Sequence, residues 1–306
     1  MRVTDGMLFR QINRNVRVAK NRHADTHQMA QTGVRVSRHS DDPVSASKSL
    51  VIQNSLSRLE SQSRIAAAAE RHLATTESVL SEAEALVRRA TELAVQGASD
   101  TLSARDRQAL GLEVDQIKQQ MLALSNTDLG GVYLFGGNKN LQEPYNASGV
   151  YQGDAGRREV EVAPGLKVTM NVPGRAVFGT GTDDDGDGTL DVASGEKTLF
   201  GVLDDLKTAM DNDDSEAISG SLDDLQTYET KVLGARVGVG TWLKTTLSAS
   251  NIRTEIQTAL EQERARTVEI DAAEAFSKFS QTQFSLEASI AQAQRIMQSI
   301  SSSSLF

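Results

Sequence analysis

Apolar residues return at every seventh position through one long stretch of the chain: Ile52, Leu59, Ala66, Leu73, Leu80, Val87 and Ala94. A second row follows three residues on, at Ala69, Thr76, Ala83 and Ala90, so the two rows together describe the a/d seam of a helix that packs along its whole length. At 1.5 Å per residue this span predicts a helix of about 65 Å, longer than an ordinary globular helix. The expectation is a rod. Its small second row admits a neighbouring helix at close range, and Arg64, Glu70, Glu77, Glu84 and Arg88 are expected to face water.

After Gly97, Ser103 with Asp106 three residues later reads as an N-cap, and Leu110, Val114, Ile117, Met121 and Leu124 predict a second amphipathic helix folding back on the first. Toward the other end, Tyr228, Ala235, Trp242, Ala249, Ile256 and Ile270 form a near-heptad row interrupted at Glu263. Phe276, Phe279, Leu286, Ile290, Ala293, Met297 and Ile300 extend an apolar face almost to the last residue. The middle changes period. Val160 and Val162, then Leu166, Val168, Met170 and Val172, alternate with Glu161, Lys167, Thr169 and Asn171 around Pro164-Gly165, which predicts a hairpin with one buried face.

Composition sharpens this division. Fifteen of the 23 glycines and three of the four prolines lie between Gly130 and Gly201, so turns concentrate there. The reading is a mainly α fold with a small β-rich insertion, built as a long antiparallel helical or coiled-coil rod from both chain termini. Residues 1–44 and 275–306 are expected to be terminal assembly helices, 45–140 and 202–274 a helical rod domain, and 141–201 a Gly/Pro-rich outer domain. Only 4% of the 306 residues are aromatic and cysteine is absent, which removes disulfide and thiolate chemistry.

The net charge of −9 disfavours nucleic acid or an anionic membrane as partner. Residues 183–229 hold 15 acidic side chains against Lys197 and Lys207, so that stretch carries −13 and the remainder +4. Within it, Asp183, Asp185, Asp187 and Asp191 fall at positions 1, 3, 5 and 9 of a calcium loop, with Gly188 at position 6. Position 12 is Ser194, where the bidentate carboxylate belongs, so a solvated acidic turn is the favoured reading. His23 and His27 share a helical face, but Ala24 stands where a metalloprotease needs Glu and no third ligand is evident. The first 40 residues hold eight Lys/Arg against Asp5 and Asp25, and without interleaved aromatics they read as a charged helical surface. No nucleophile elbow, phosphate loop or paired-carboxylate constellation stands out. No enzyme and no cofactor are expected. The opening MRVTDGMLFR lacks the apolar run of a cleaved secretory signal, so any export is expected to follow another route.

Several segments carry a family resemblance: Gly33, Arg35 and the run Ser40-Asp41-Asp42-Pro43; Glu92 to Gln96; Leu102-Ser103; Asn126 and Tyr133-Leu134-Phe135; then Arg236, Val239 and Gly240. In this order the chain resembles the bacterial flagellin superfamily, and within it the hook–filament junction proteins, since flagellin itself tends to lack the Asp-Asp-Pro run and the Tyr-Leu-Phe segment. The resemblance implies a structural subunit exported through the flagellar type III pathway to the outside of the cell. It implies self-association in a ring, contacts with a sister hook-associated junction protein and with flagellin, and an export chaperone. The assembly interface is then expected at Leu8, Ile12 and Val16 and at Phe276, Phe279, Leu286, Ile290, Ala293, Met297 and Ile300. True flagellin is the alternative within the class, and a secreted calcium-binding adhesin or enzyme the alternative outside it.

Overall fold

The computed structural model describes residues 5–180 and 197–303. Among them are six α-helices, a single 3₁₀ turn and a two-stranded sheet, in the order α1 (Asp5–Thr32), α2 (Pro43–Gly97), α3 (Ala104–Ser125), β1 (Glu159–Ala163), β2 (Leu166–Thr169), α4 (Leu199–Asp211), α5 (Ser215–Val268) and α6 (Ala272–Ser303). The chain divides into two compact units: Met1–Arg58 with Glu255–Phe306, and Leu59–Thr254.

In the larger unit both rows read from α2 are buried, from Leu59 and Ala66 to Val87 and Ala94 in one and from Ala69 to Ala90 in the other. Full burial of each Leu or Val is worth about 1.5–3 kcal/mol. Their partner is α5, whose buried row is Ile218, Leu225, Val232, Val239, Thr246 and Arg253 at strict sevens. Tyr228, Ala235, Trp242 and Ala249 form the second row beside it and also meet the core. Ion pairs fix the direction: Arg236 reaches Glu77 and Glu84, and Arg88 reaches Glu229. Residue numbers thus rise along α2 as they fall along α5. The two helices are antiparallel.

The expected solvent face of α2 needs correction at Glu84, whose side chain is only 5% exposed. Arg236 Nη1 donates to one Glu84 oxygen at 3.0 Å, Arg88 pairs with the other, and Arg236 Nε donates to Glu77 at 2.9 Å. Burial is tolerated here because both carboxylate oxygens meet guanidinium donors.

Ser103 caps α3 as expected, its hydroxyl accepting from the Asp106 amide at 3.3 Å and donating to the Asp106 carboxylate at 2.7 Å. Val114, Ile117 and Met121 are buried. Helix α3 packs against α4, and Lys118 bridges to Asp204. Helix α4 begins inside the stretch read as turn-rich, because the Thr198 hydroxyl accepts from the Gly201 amide and so supplies a cap. At the opposite end of α3, the buried Arg107 guanidinium donates to the carbonyls of Gly97 and Ser99 and pairs with Asp213, which closes the α2–α3 and α4–α5 turns together.

The hairpin forms around Gly165, whose φ of +75° suits glycine, with a bulge between Glu161 and Ala163. Val162, Val168 and Val172 are buried as expected. Asn171, read as outward, is instead 1% exposed. Its amide oxygen accepts from the Arg158 amide at 2.6 Å and its nitrogen donates to the Gly156 carbonyl at 3.0 Å, so it replaces the ladder where the sheet ends. This β-rich segment shares one core with α2, α3, α4 and α5. Phe135, Tyr145, Phe178 and Phe200 meet with ring centroids 5.1–6.2 Å apart, and Gly149 lets Phe200 lie where a Cβ would come within 2.7 Å. Four of the chain's 13 aromatic side chains are thus gathered at one place.

Candidate assembly interface

In the smaller unit α1 packs along α6. The inward positions of α1 are Ile12, Val16, Ala19, His23, Thr26 and Met29, and those of α6 are Ala275, Phe279, Thr282, Leu286, Ser289, Ala293 and Ile296. Both follow the three–four alternation of a heptad seam, apart from the last step of α1, from Thr26 to Met29. The seam is thin and partly polar. Phe279 lies against His23 and His27 at 5.2 and 5.6 Å between ring centroids, and the Thr26 and Thr282 hydroxyls hydrogen-bond at 2.6 Å. The two histidines therefore serve packing, and among the described residues no group of three or more His, Cys, Asp or Glu could hold a metal.

The apolar residues expected at an assembly interface divide between two faces. Ile12, Val16, Phe279, Leu286 and Ala293 close the α1–α6 seam. Phe276, Ile290 and Met297 point outward with Phe284, at 66%, 41%, 50% and 75% exposed, and Phe9 and Val18 do the same on α1. A helix that already has a partner on one face thus keeps large apolar side chains in water on others. The side chains of Leu8 and Ile300 lie outside the described residues, as does the acidic loop with Asp183, Asp185, Asp187 and Asp191.

The residues that carried the family resemblance hold turns and helix ends. Asp41 accepts from the Ser37 and Arg38 amides, with Ser40 at its other oxygen, and these bonds, the one from Arg38 foremost, hold its carboxyl below the usual range. Asp42 caps α2 through the Ser45 amide and hydroxyl, which together with Arg35 lower its pKa, and Pro43 takes the first helical position. Glu92 pairs with Arg89, which also reaches Glu113, while Gln96 is exposed. The Asn126 side chain exchanges two hydrogen bonds with the Tyr145 backbone, at 2.8 and 2.9 Å. The Tyr133 amide donates to Asn140, and Phe135 is fully buried against Phe178. Arg236 makes the ion-pair fork on α2. Gly240 has open space where a Cβ would stand, so nothing within the described chain demands glycine there.

This helical pair built from both ends of the chain has its likeness among the flagellins: residues 6–140 match the bacterial flagellin N-terminal helical region. Over nearly its whole length the chain is a homologue of flagellar hook-associated protein 3. It is 27% identical over 301 residues to flagellar hook-associated protein 3 of Escherichia coli (strain K12), covering 94% of this chain and 95% of that one. The crystal structure of Bacillus cereus FlgL superposes with a TM-score of 0.58 at 27% identity, covering 70% of this chain and 99% of that one. Flagellin of Clostridium tyrobutyricum matches over 114 residues only, at 28% identity, or 37% of this chain.

Proposed function

We propose that this chain is a structural subunit of the bacterial flagellum, placed outside the cell where it joins the hook to the filament, and that it assembles through α1 and α6. The observation that carries the reading is the second apolar face on those helices: Phe276, Phe284, Ile290 and Met297 remain in water while the α1–α6 seam is already closed. Burial of that face by neighbouring subunits supplies an assembly free energy at about 25 cal/mol per Å² of apolar area. The role is structural rather than catalytic. Its partners on this reading are further copies in a ring, a sister hook-associated protein on the hook side, flagellin on the other, and an export chaperone of the flagellar type III pathway. Export then proceeds without a cleaved signal peptide. Filament flagellin is not favoured, because the flagellin relative aligns over little more than a third of the chain.

The test is a strain lacking this chain. It should build hooks without filaments and release flagellin monomers into the medium, and the full-length chain supplied in trans should restore filaments. Normal filaments in the deletion strain would refute the proposal.

A further inference from the structure

Both helical strands of the smaller unit break at the same level. Helix α1 ends at Thr32 and α2 begins at Pro43, while α5 ends at Val268 and α6 begins at Ala272. The two breaks are tied to each other rather than left as separate loops. The Arg35 amide donates to the Val268 carbonyl at 2.7 Å, the Ile270 amide donates to the Gly33 carbonyl at 3.0 Å, and Val34 and Glu269 form an antiparallel bridge. Gly33 makes the turn at φ +69° with open space around it.

One side chain spans the arrangement. The Arg35 guanidinium donates to the Thr267 carbonyl at 3.1 Å, to the Ser45 hydroxyl at 3.3 Å and to the Asp42 carboxylate at 3.3 Å. It therefore grips the last turn of α5 and the first turn of α2 at once, supplying a donor to a helix-end carbonyl that the broken helix leaves unpaired. On the α2 side, Asp41 holds the loop through the Ser37 and Arg38 amides. A helix can turn only where its hydrogen-bond ladder is interrupted, and here the interruptions in two strands coincide.

We infer that residues 33–42 and 268–271 form one coupled joint that holds α1 and α6 together as a body at a set angle to the helices that follow, and that Arg35 is the positioning residue that fixes this angle. The planar fork of arginine suits three acceptors on two helices, where a point charge would not. Use of such a joint to match subunits across a junction rests on the flagellar reading. The joint itself does not.

The absence of cysteine makes paired spin labels straightforward on the full chain. One pair, Ala24→Cys with Ser57→Cys, crosses the joint. The other, Ala24→Cys with Ala288→Cys, reports on α1 against α6. In the otherwise unaltered chain both distance distributions should be narrow. Arg35→Gln should widen the cross-joint distribution at least twofold and leave the α1–α6 distribution unchanged. The inference is overturned by an unchanged cross-joint width in Arg35→Gln, by equal widening of both pairs, which would report local unfolding, or by broad distributions for both pairs before substitution. Loss of filament rescue with both distributions as expected would bear on the flagellar reading alone.

Discussion

The two helical pairings in this chain use the same seven-residue period to opposite ends. Between α2 and α5 the seam is continuous with Phe135, Tyr145, Phe178 and Phe200, so packing closes on itself. Between α1 and α6 the inward row interleaves Ile12, Val16, Phe279 and Leu286 with Ala19, His23, Thr26, Thr282, Ser289 and Ala293, while Phe276, Phe284, Ile290 and Met297 face away from it. A period thus specifies which face a helix offers, while side-chain size decides whether the pairing is sufficient alone. The closed unit invests its bulk inward. The terminal pair keeps bulk on the outside, where only other molecules can cover it.

The contrast is tested most severely by placing a carboxylate in each seam. Leu80→Asp, at a fully buried position, should cost the larger unit roughly 5 kcal/mol, through lost packing and an unpaired buried charge. Leu286→Asp should leave that unit's thermal transition in place and abolish assembly. Equal shifts by calorimetry would contradict the distinction.

Acid should also act on the closed unit. Burial, and secondarily the neighbouring Arg158 guanidinium, push the His72 pKa down from its ordinary 6.5 to about 4. The folded state therefore binds fewer protons than the unfolded one. Stability should fall as pH drops below 6.5, with the loss complete below about pH 4 and amounting to about 3 kcal/mol. His72→Gln should flatten this part of the profile of urea midpoint against pH, and a slope identical to that of the unaltered chain would remove His72 from the account.

Glu84→Ala removes the buried member of the fork, leaving Arg236 with Glu77 alone, and should cost about 2 kcal/mol, whereas Glu77→Ala should cost under about 1 kcal/mol, since the pair it breaks is a third exposed. Chemical denaturation of the two variants side by side checks the order. Ser103→Ala removes the α3 cap and should cost about 1 kcal/mol by the same measurement. The smallest thermal effect belongs to Phe284→Ser, expected within about half a kcal/mol of the parent because the ring is exposed. That variant should nonetheless impair filament rescue, and full rescue would take Phe284 out of the interface.

How far the sequence was legible follows from these same physical differences. The α2 rows, the Ser103 cap and the hairpin are local patterns of apolar residues and turn formers, and each can be read in one strand of text. The main row of α5 was hidden because Thr246 and Arg253 occupy two of its sevens, where only burial reveals that they belong. Glu84 looked solvent-facing because its partner lies 152 positions away at Arg236. The end of α5 carries neither proline nor glycine. Its signal was Asp271, three residues before Glu274: the Asp271 carboxylate accepts from the Ala273 amide at 2.7 Å to start α6. Likewise Thr198 announced α4. The split of the α6 face into inward Phe279, Leu286 and Ala293 and outward Phe276, Ile290 and Met297 depends on where α1 lies, which no single-strand pattern contains.

The Arg236 fork answers a weakness inherent in any repeating seam. A pattern that recurs every seven residues is nearly indifferent to sliding by seven, since each apolar position lands opposite another of its kind. Glu77 and Glu84 are themselves one repeat apart, and Arg236 grips both from between them. A slip of α5 by one repeat in either direction would carry Arg236 past one of the two carboxylates, and with the wrong slip would leave the buried Glu84 with Arg88 as its single guanidinium partner. The fork thus acts as a pawl. It makes one register out of several near-equal ones the lowest in energy, and it resists sliding under axial load that hydrophobic contact alone would permit.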